Sequence, residues 1–544
     1  MNDSLNISFG STLDSLNFFK ISTYCNTLSE NTFFNFTTFV TAMAVLILAW
    51  TNSDYKYKFR FQISFIPPSI LLGMVFLLGL ATVVNDYVHF NFIWPYSTWQ
   101  LVLSIILLLL IFYWAFSCFV RPPKFRWYNH SRFRKVFQDV VFRRNYQEII
   151  SLVSDFRRSI QSIIRFSKNE YEISETKLSE KEKNALRIID LMGNDFFAKA
   201  VVDVDVRVAV DLFKEAKEKN KINHEMHVFA GNFITQALMN ENSFLYTEIK
   251  YTNGSFSYYK PVIKAIYSDY DLVHDIPELL QPHYSLTRQW RAQQIKAYCA
   301  ILLTSIKSFF EKWYDDYFFK QSFEELSGLT RKVLELNGMS ENLMNNESWL
   351  IYTEIISFYR DLILIISKIS VPKRIQKKYS EDYKEKDLFD IIASSVVKIM
   401  NWIGDVRGPN FWLIQYMNFW DDIFHTESEK EPVKILMFKL RRAIYLTIKE
   451  DGGYMGIRIH LMILNIMGLT PISRTRQLFK EDGILHRWLL YYTKYNLWTY
   501  YQNKPNFVNA CMPDGMSIDS NTKELVRMIP SLIGPQKQER MKLK

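Results

Sequence analysis

The chain contains little cysteine, glycine and proline for its length. Its 544 residues include 17 glycines, 16 prolines and four cysteines, Cys25, Cys118, Cys299 and Cys511. The cysteines lie far apart, which excludes a CxxC zinc site and a small disulfide framework. The low glycine and proline content excludes collagen-like and flexible low-complexity classes. We therefore expect a mainly α-helical protein with free thiols.

Charge is absent from three long apolar segments near the N-terminus. Phe33–Trp50, Ile66–Val84 and Trp99–Val120 contain no Asp, Glu, Lys, Arg or His. A helix of about 20 apolar residues is long enough to cross the hydrocarbon core of a bilayer. These segments predict three transmembrane helices in a membrane domain over residues 33–120. Since ionisable groups within a membrane usually mark proton or ion pathways, their absence disfavours a coupled transporter.

The flanks of these segments differ in charge. Residues 121–168 hold twelve Lys or Arg against three Asp or Glu, which is most of the net charge of +10, and Lys56 to Arg60 form a second basic loop. The N-terminal tail, residues 1–32, has no basic region typical of a cleaved signal peptide. Because cytoplasmic loops carry the basic excess, we predict a multi-pass protein of the cell membrane, with its N-terminus outside and everything after Val120 in the cytoplasm.

The basic segment over residues 121–168 has the pattern of amphipathic juxtamembrane helices. An apolar stripe from Phe133 to Val141 alternates with charged positions at helical spacing. Basic helices beside a membrane attract anionic head groups. The predicted lipid-binding residues are Arg132, Arg134, Lys135, Arg143 and Arg144. In the alternative, the stripe packs on the cytoplasmic domain and the charges only stop translocation.

The predicted cytoplasmic region is helical and divides at a charged linker, residues 373–387. A helical domain over 169–372 precedes the linker, and a second helical domain over 388–534 follows it. One small β-hairpin is expected around Asn253-Gly254, a dipeptide typical of tight hairpin turns. Trp349–Ile369 is apolar but carries charges at its centre, so we interpret it as a buried core helix. The basic tail, residues 535–544, is expected to be disordered.

Two histidine motifs are candidate metal or catalytic sites. His224 and His227 are three residues apart, a spacing that places both on one helix face. The alternative is an exposed helix start with Asn223 as its N-cap. His274-Asp275 resembles the HD pair of metal-binding HD phosphohydrolases, and the resemblance covers these two letters. That resemblance implies a metal-dependent hydrolase, whereas Asp275 alone is explained as the N-cap of a helix with Pro277 in its first turn.

A third candidate combines two carboxylates with a histidine. Asp421 and His425 lie one helical turn apart, with Asp422 beside them. Such a set suits divalent-metal or acid–base chemistry, and a solvated helix end explains it equally well.

These patterns lead to two hypotheses of different class. The first is a membrane-anchored helical interaction or sensor module, which binds a protein partner and acts on the membrane as a defence or stress effector. The alternative is a membrane-tethered metal-dependent hydrolase that acts as a nuclease or phosphohydrolase. We expect anionic lipid as a partner and no cofactor, leave a homo-oligomer open, and do not favour nucleic acid, because the basic surplus lies beside the membrane.

Overall fold

A computed structural model describes most of the chain. The described residues are 36–51, 53–88, 96–120, 123–168, 178–250, 261–283, 287–312, 318–337, 345–371, 387–406, 430–451, 454–470, 480–529 and 537–544. The protein is mostly helical (78%) with one small three-stranded antiparallel sheet, which confirms the predicted class. The chain forms two compact units, residues 1–136 and residues 137–544.

The described part of the first unit contains four helices and the start of a fifth. They are α1 (Phe36–Thr51), α2 (Tyr55–Gln62), α3 (Pro68–Val88), α4 (Tyr96–Ala115), which ends in a π-helical turn (Phe116–Val120), and the first turns of α5 (His130–Arg143). Pro68–Val88 and Thr98–Val120 are long and apolar enough to cross a membrane. The 16 described residues of α1 span about 24 Å at 1.5 Å per residue. This is shorter than the hydrocarbon core, and residues 33–35 lie outside the described residues, so a third span stays a prediction.

Helix α1 packs on α3 where α3 has no side chain. A Cβ atom at Gly79 would overlap the ring of Phe39. Phe39 joins a buried apolar cluster with residues of α3 and α4, among them Val75 and Leu103. Small residues allow helix backbones to approach closely in a membrane, and here Gly79 receives a neighbouring aromatic ring.

The second unit begins within α5 and is helical over most of its described length. Its helices up to the charged linker are α6 (Tyr146–Phe156), α7 (Ile160–Phe166), α8 (Glu180–Met192), α9 (Asp195–Val204), α10 (Arg207–Glu218), α11 (His224–Met239), α12 (Phe244–Lys250), α13 (Pro261–Tyr267), α14 (Tyr270–Asp275), α15 (Ala292–Lys312), α16 (Lys320–Leu329) and α17 (Glu347–Ile366). Those after it are α18 (Leu388–Gly404), α19 (Glu431–Asp451), α20 (Tyr454–Met467), α21 (Lys480–Asn503) and α22 (Pro505–Cys511). Three short 3₁₀ segments, Arg157–Ser159, Pro277–Leu280 and Thr330–Leu336, lie between helices.

Several sequence predictions are confirmed at these boundaries. Helix α11 occupies the predicted range, and the side chain of Asn223 accepts a hydrogen bond from the Met226 amide at 3.2 Å. Helix α17 is a buried core helix, with Tyr352 and Tyr359 fully covered. Helix α18 starts at Leu388 as expected, and Asp387 caps it. Residues 373–386 of the predicted linker lie outside the described residues.

The hairpin prediction is wrong on its first strand. Phe244–Lys250 forms helix α12, and Asn253-Gly254 lies outside the described residues. The two carboxylate oxygens of Glu248, which is 7% exposed, each accept a backbone N–H at 3.0 Å, from Val262 and Ile263. The carboxylate thereby satisfies the N–H groups at the start of α13, which have no partner within that helix. The alternating sequence pattern of Phe244–Lys250 cannot predict this contact, because the partners lie in another segment.

The sheet is instead formed at the C-terminus, and the expectation of a disordered tail is wrong. Strands β1 (Met516–Asp519), β2 (Glu524–Ile529) and β3 (Lys537–Lys542) pair antiparallel in that order, with Leu525 opposite Met541. The Glu539 carboxylate lies 2.8 Å from the Arg527 guanidinium and accepts a hydrogen bond from the Leu469 amide at 2.8 Å. Strand pairing and the ion pair hold the tail in the sheet, and the hydrogen bond to Leu469 joins it to the helical part of the chain.

Candidate membrane-interface site

In the first histidine motif, His227 forms a hydrogen-bonded pair with Glu278. Nδ1 of His227 donates to Oε2 of Glu278 at 2.6 Å, while His224 lies exposed at the start of α11. Burial favours the neutral form of Glu278, but the hydrogen bond with His227, a backbone hydrogen bond and the nearby histidines His227 and His224 together outweigh this effect and hold the pKa of the carboxyl below its ordinary value. The arrangement joins α11 to the 3₁₀ turn that begins at Pro277.

In the second motif, the histidine lies beside the aspartate that follows it in the chain. Nδ1 of His274 lies 3.5 Å from the carboxylate of Asp275, and both side chains are about half exposed. Asp275 is the last residue of α14, so the prediction that it caps the next helix is wrong. Asp269 caps α14, and Ile276, which has no capping side chain, precedes the 3₁₀ turn.

The third motif, Asp421, Asp422 and His425, lies outside the described residues. Within the described part of the chain, no three His, Cys, Asp or Glu side chains lie together as metal ligands. The described residues among the predicted metal and catalytic residues therefore belong to two motifs, His224 with His227 and His274 with Asp275, which do not form one group of metal ligands.

The two long apolar helices expose large apolar side chains along their outer faces. Phe76 and Leu77 of α3 are 69% and 64% exposed, and Leu108 and Phe112 of α4 are 67% and 62% exposed. A soluble monomer rarely exposes a continuous apolar surface of this kind. A lipid environment explains it, because apolar side chains have no energetic penalty there.

The basic segments on either side of these helices pack together at one end of the pair. The guanidinium of Arg60 in α2 donates to the Cys118 carbonyl at the end of α4, at 2.7 Å. The Asn129 side chain, 1% exposed, donates to the carbonyls of Ile63 and Lys124 at 2.8 and 2.9 Å. The segments before α3 and after α4 therefore form one continuous structure.

This structure, which we call the basic collar, carries an excess of cations. Its basic residues are Lys56, Lys58, Arg60, Lys124, Arg126, Arg132, Arg134 and Lys135, and Asp54 is the one acidic residue in the ranges 53–66 and 123–136. Lys124, Arg126 and Lys135 are exposed. Such a charge density attracts anionic head groups at a membrane surface.

Aromatic side chains lie beside these cations. Phe65 and Trp127 are 63% and 69% exposed, and both rings contact Tyr128, at centroid distances of 5.3 and 5.8 Å. Phe65 precedes α3 by three residues, and Trp127 follows the end of the π-turn by seven. Exposed aromatic rings next to the ends of transmembrane helices are typical of the membrane–water interface.

The structure separates the five predicted lipid-binding residues. Arg132 and Arg134 are half-buried in the first unit, where Arg132 donates to the Phe65 carbonyl at 3.2 Å, and Lys135 is exposed. Arg143 and Arg144 lie exposed in the second unit, and the Arg144 guanidinium is 5.4 Å from the centre of the Phe196 ring.

The apolar stripe of α5 is covered by protein. Phe133 contacts the rings of Phe59 and Phe125 in the first unit. Phe137 contacts Phe156 and Phe197 in the second unit. The stripe is therefore not available to lipid.

Sequence reasoning missed Phe65, Trp127 and Tyr128. The run Lys124 to Tyr128, KFRWY, alternates basic and aromatic residues directly after the apolar segment, and that pattern was the available signal. Comparison of the chain with protein-family models, with curated proteins and with solved structures finds no match.

Proposed function

We propose that the chain is a membrane-anchored module whose basic collar binds anionic lipid head groups on the cytoplasmic side. The observation that carries this proposal is the coincidence of eight cations, one carboxylate and exposed aromatic rings at the same end of two apolar helices. The second unit then serves as a helical module that binds a protein partner in the cytoplasm. Its proposed role in defence or stress is a prediction from the layout alone.

The expected strength of the lipid contact follows from the charge. A Lys or Arg near an anionic membrane surface contributes about 1 kcal/mol. The three exposed cations Lys124, Arg126 and Lys135 should therefore contribute about 3 kcal/mol together at low ionic strength. The contribution should decrease with salt, because the screening length falls to about 8 Å at physiological ionic strength.

The test compares the full chain in nanodiscs of anionic and of zwitterionic lipid. We expect the anionic lipid to raise the Tm, and the triple variant Lys124→Gln, Arg126→Gln and Lys135→Gln to lose most of that increase. A control variant that replaces the exposed Arg187, Lys219 and Lys434 by Gln removes the same charge from the second unit. It should keep the increase.

Replacement of Trp127 by Ala tests the aromatic part separately. Because an interfacial ring does not require lipid charge, this variant should lower the Tm in both kinds of nanodisc. If the Tm increase is equal in the wild type and in the triple collar variant, the collar does not bind anionic lipid. The proposal then fails.

A further inference from the structure

A second basic and aromatic surface lies far from the collar in sequence, on helix α21. From Gly483 to Pro513 the chain contains no acidic residue. Arg487, Tyr491, Lys494, Tyr495 and Trp498 recur at intervals of three, four or one residues, which places them on one face of the helix. Basic and aromatic residues therefore lie next to one another along that face.

Two aromatic rings of this face are exposed, and the rings lie close to one another along the helix. Tyr491 and Tyr495 are 64% and 41% exposed, with ring centroids 4.5 Å apart. Trp498 stacks with Tyr501 at 5.6 Å and an interplanar angle of 25°. The rings extend over ten residues of helix, or about 15 Å.

Two further lysines reach this face from the C-terminal sheet. The ammonium of Lys523 lies 5.5 Å from the centre of the Trp498 ring, and that of Lys544 lies 4.9 Å from the centre of the Tyr495 ring. The backbone fixes both positions, because the Leu543 amide donates to the Lys523 carbonyl at 2.9 Å and the Lys544 amide donates to the Lys494 carbonyl at 2.8 Å.

We call this surface the aromatic–lysine stripe: Arg487, Tyr491, Lys494, Tyr495 and Trp498 of α21 with Lys523 and Lys544 of the sheet. The stripe has four cations: Arg487, Lys494, Lys523 and Lys544. Within the described part of the chain, none of them forms an ion pair with a side-chain carboxylate. The stripe therefore presents π-faces together with uncompensated positive charge.

We propose that the aromatic–lysine stripe binds single-stranded nucleic acid. Proteins bind single strands by stacking bases on exposed aromatic rings while basic side chains contact the phosphates. The stripe supplies both groups along one line. The exposed rings of the stripe, Tyr491 and Tyr495, lie among cations, whereas the exposed surfaces of α3 and α4 are formed by apolar side chains such as Leu77 and Leu108.

The test measures binding of labelled oligonucleotides to the full chain in zwitterionic nanodiscs. Fluorescence anisotropy is recorded with oligo-dT and oligo-U of 20 nucleotides and with a DNA duplex of the same length. We expect the single strands to bind more tightly than the duplex, and the comparison of dT with U identifies DNA or RNA as the preferred strand.

Two variants separate stacking from charge. Tyr491→Ala with Tyr495→Ala should weaken single-strand binding about tenfold or more, because stacking contributes about 1–3 kcal/mol per base. Lys494→Gln with Lys523→Gln should reduce the salt dependence of binding, since each phosphate contact contributes about 0.7 to the slope of log K against log salt. Circular dichroism and the Tm show whether these surface variants remain folded.

The collar triple variant and the Arg187, Lys219 and Lys434 variant serve as controls and should bind single strands as the wild type does. Three binding results would overturn the proposal: no single-strand binding at low salt, equal binding by folded stripe variants, or a preference for duplex that the tyrosine substitutions leave unchanged. A loss of the Tm increase in anionic nanodiscs on substitution of the stripe would assign this surface to the membrane instead, and would also overturn it.

Discussion

The carboxyl group of Glu325 should make the second unit less stable as the pH rises through neutrality. Glu325 lies in α16 and is 8% exposed. Its Oε1 accepts a hydrogen bond from Gln321 at 3.4 Å, while Oε2 is buried and has no donor among the described residues. Burial favours the neutral form and raises the pKa of this carboxyl to about 7, although the Gln321 hydrogen bond acts in the opposite direction.

The sign and size of the effect follow from proton linkage. Because the folded protein holds the proton more tightly than the unfolded chain, whose pKa is about 4.5, the stabilisation is fully present below pH 4.5 and is lost as the pH rises through 7. The shift corresponds to about 3 kcal/mol of unfolding free energy. Above pH 7 the remaining penalty of a buried carboxylate is constant.

Replacement of Glu325 by Gln isolates this effect. The amide keeps the shape of the protonated acid and does not titrate, so the Tm difference between the variant and the wild type should be small at pH 5 and should favour the variant by several degrees at pH 8. The measurement is thermal unfolding of the full chain, followed by tryptophan fluorescence, in a series of buffers.

The adjacent Glu324 provides a matched control. It is exposed, and its carboxylate lies 3.6 Å from the ammonium of Lys398. Glu324→Gln should follow the pH curve of the wild type, because an exposed pair of this kind contributes little. The explanation is refuted if Glu325→Gln and the wild type give parallel Tm curves between pH 5 and pH 8.

Two further substitutions test the packing. Lys439, 4% exposed, lies 2.6 and 3.3 Å from the two carboxylates that cap α18, so Lys439→Ala should lower the unfolding free energy by about 3–5 kcal/mol, whereas the exposed Lys434→Ala should have little effect in the same urea titration. In the first unit, Gly79→Leu should displace the facing aromatic ring and cost about 1–3 kcal/mol, measured as a lower Tm in nanodiscs. A Cβ atom at Gly73 would meet no neighbouring atom within 4 Å, so Gly73→Leu should leave the Tm unchanged; an equal loss for both glycines would refute the packing argument.

The sequence was sufficient where a feature depends on neighbours along the chain. The apolar segments around Ile66–Val84 and Trp99–Val120 are each uniform over a whole helix, so length and composition predict them. The cap at Asn223 and the helix start at Leu388 are likewise local, because a capping side chain contacts an amide two or three residues away.

The sequence was insufficient where the deciding contact is distant. The alternation in Phe244–Lys250 favours a strand, yet the residues form a helix whose Glu248 caps the start of α13. The tail from Lys537 is too polar to bury a face by itself, and it becomes ordered by pairing with β2 and through the Glu539 contact to Arg527. Neither contact leaves a periodic signal in the segment itself.

The same distinction applies to the two proposed surfaces. The sequence alone determined that the chain is helical, that it has apolar segments long enough for a membrane, and that most of its positive charge follows them, because these are sums over adjacent residues. Only the tertiary structure placed Phe65 beside Tyr128, and Lys523 and Lys544 beside the rings of α21. Charge and aromatic character act over a few ångströms of space, so a surface built from separate segments becomes visible only when the fold brings those segments together.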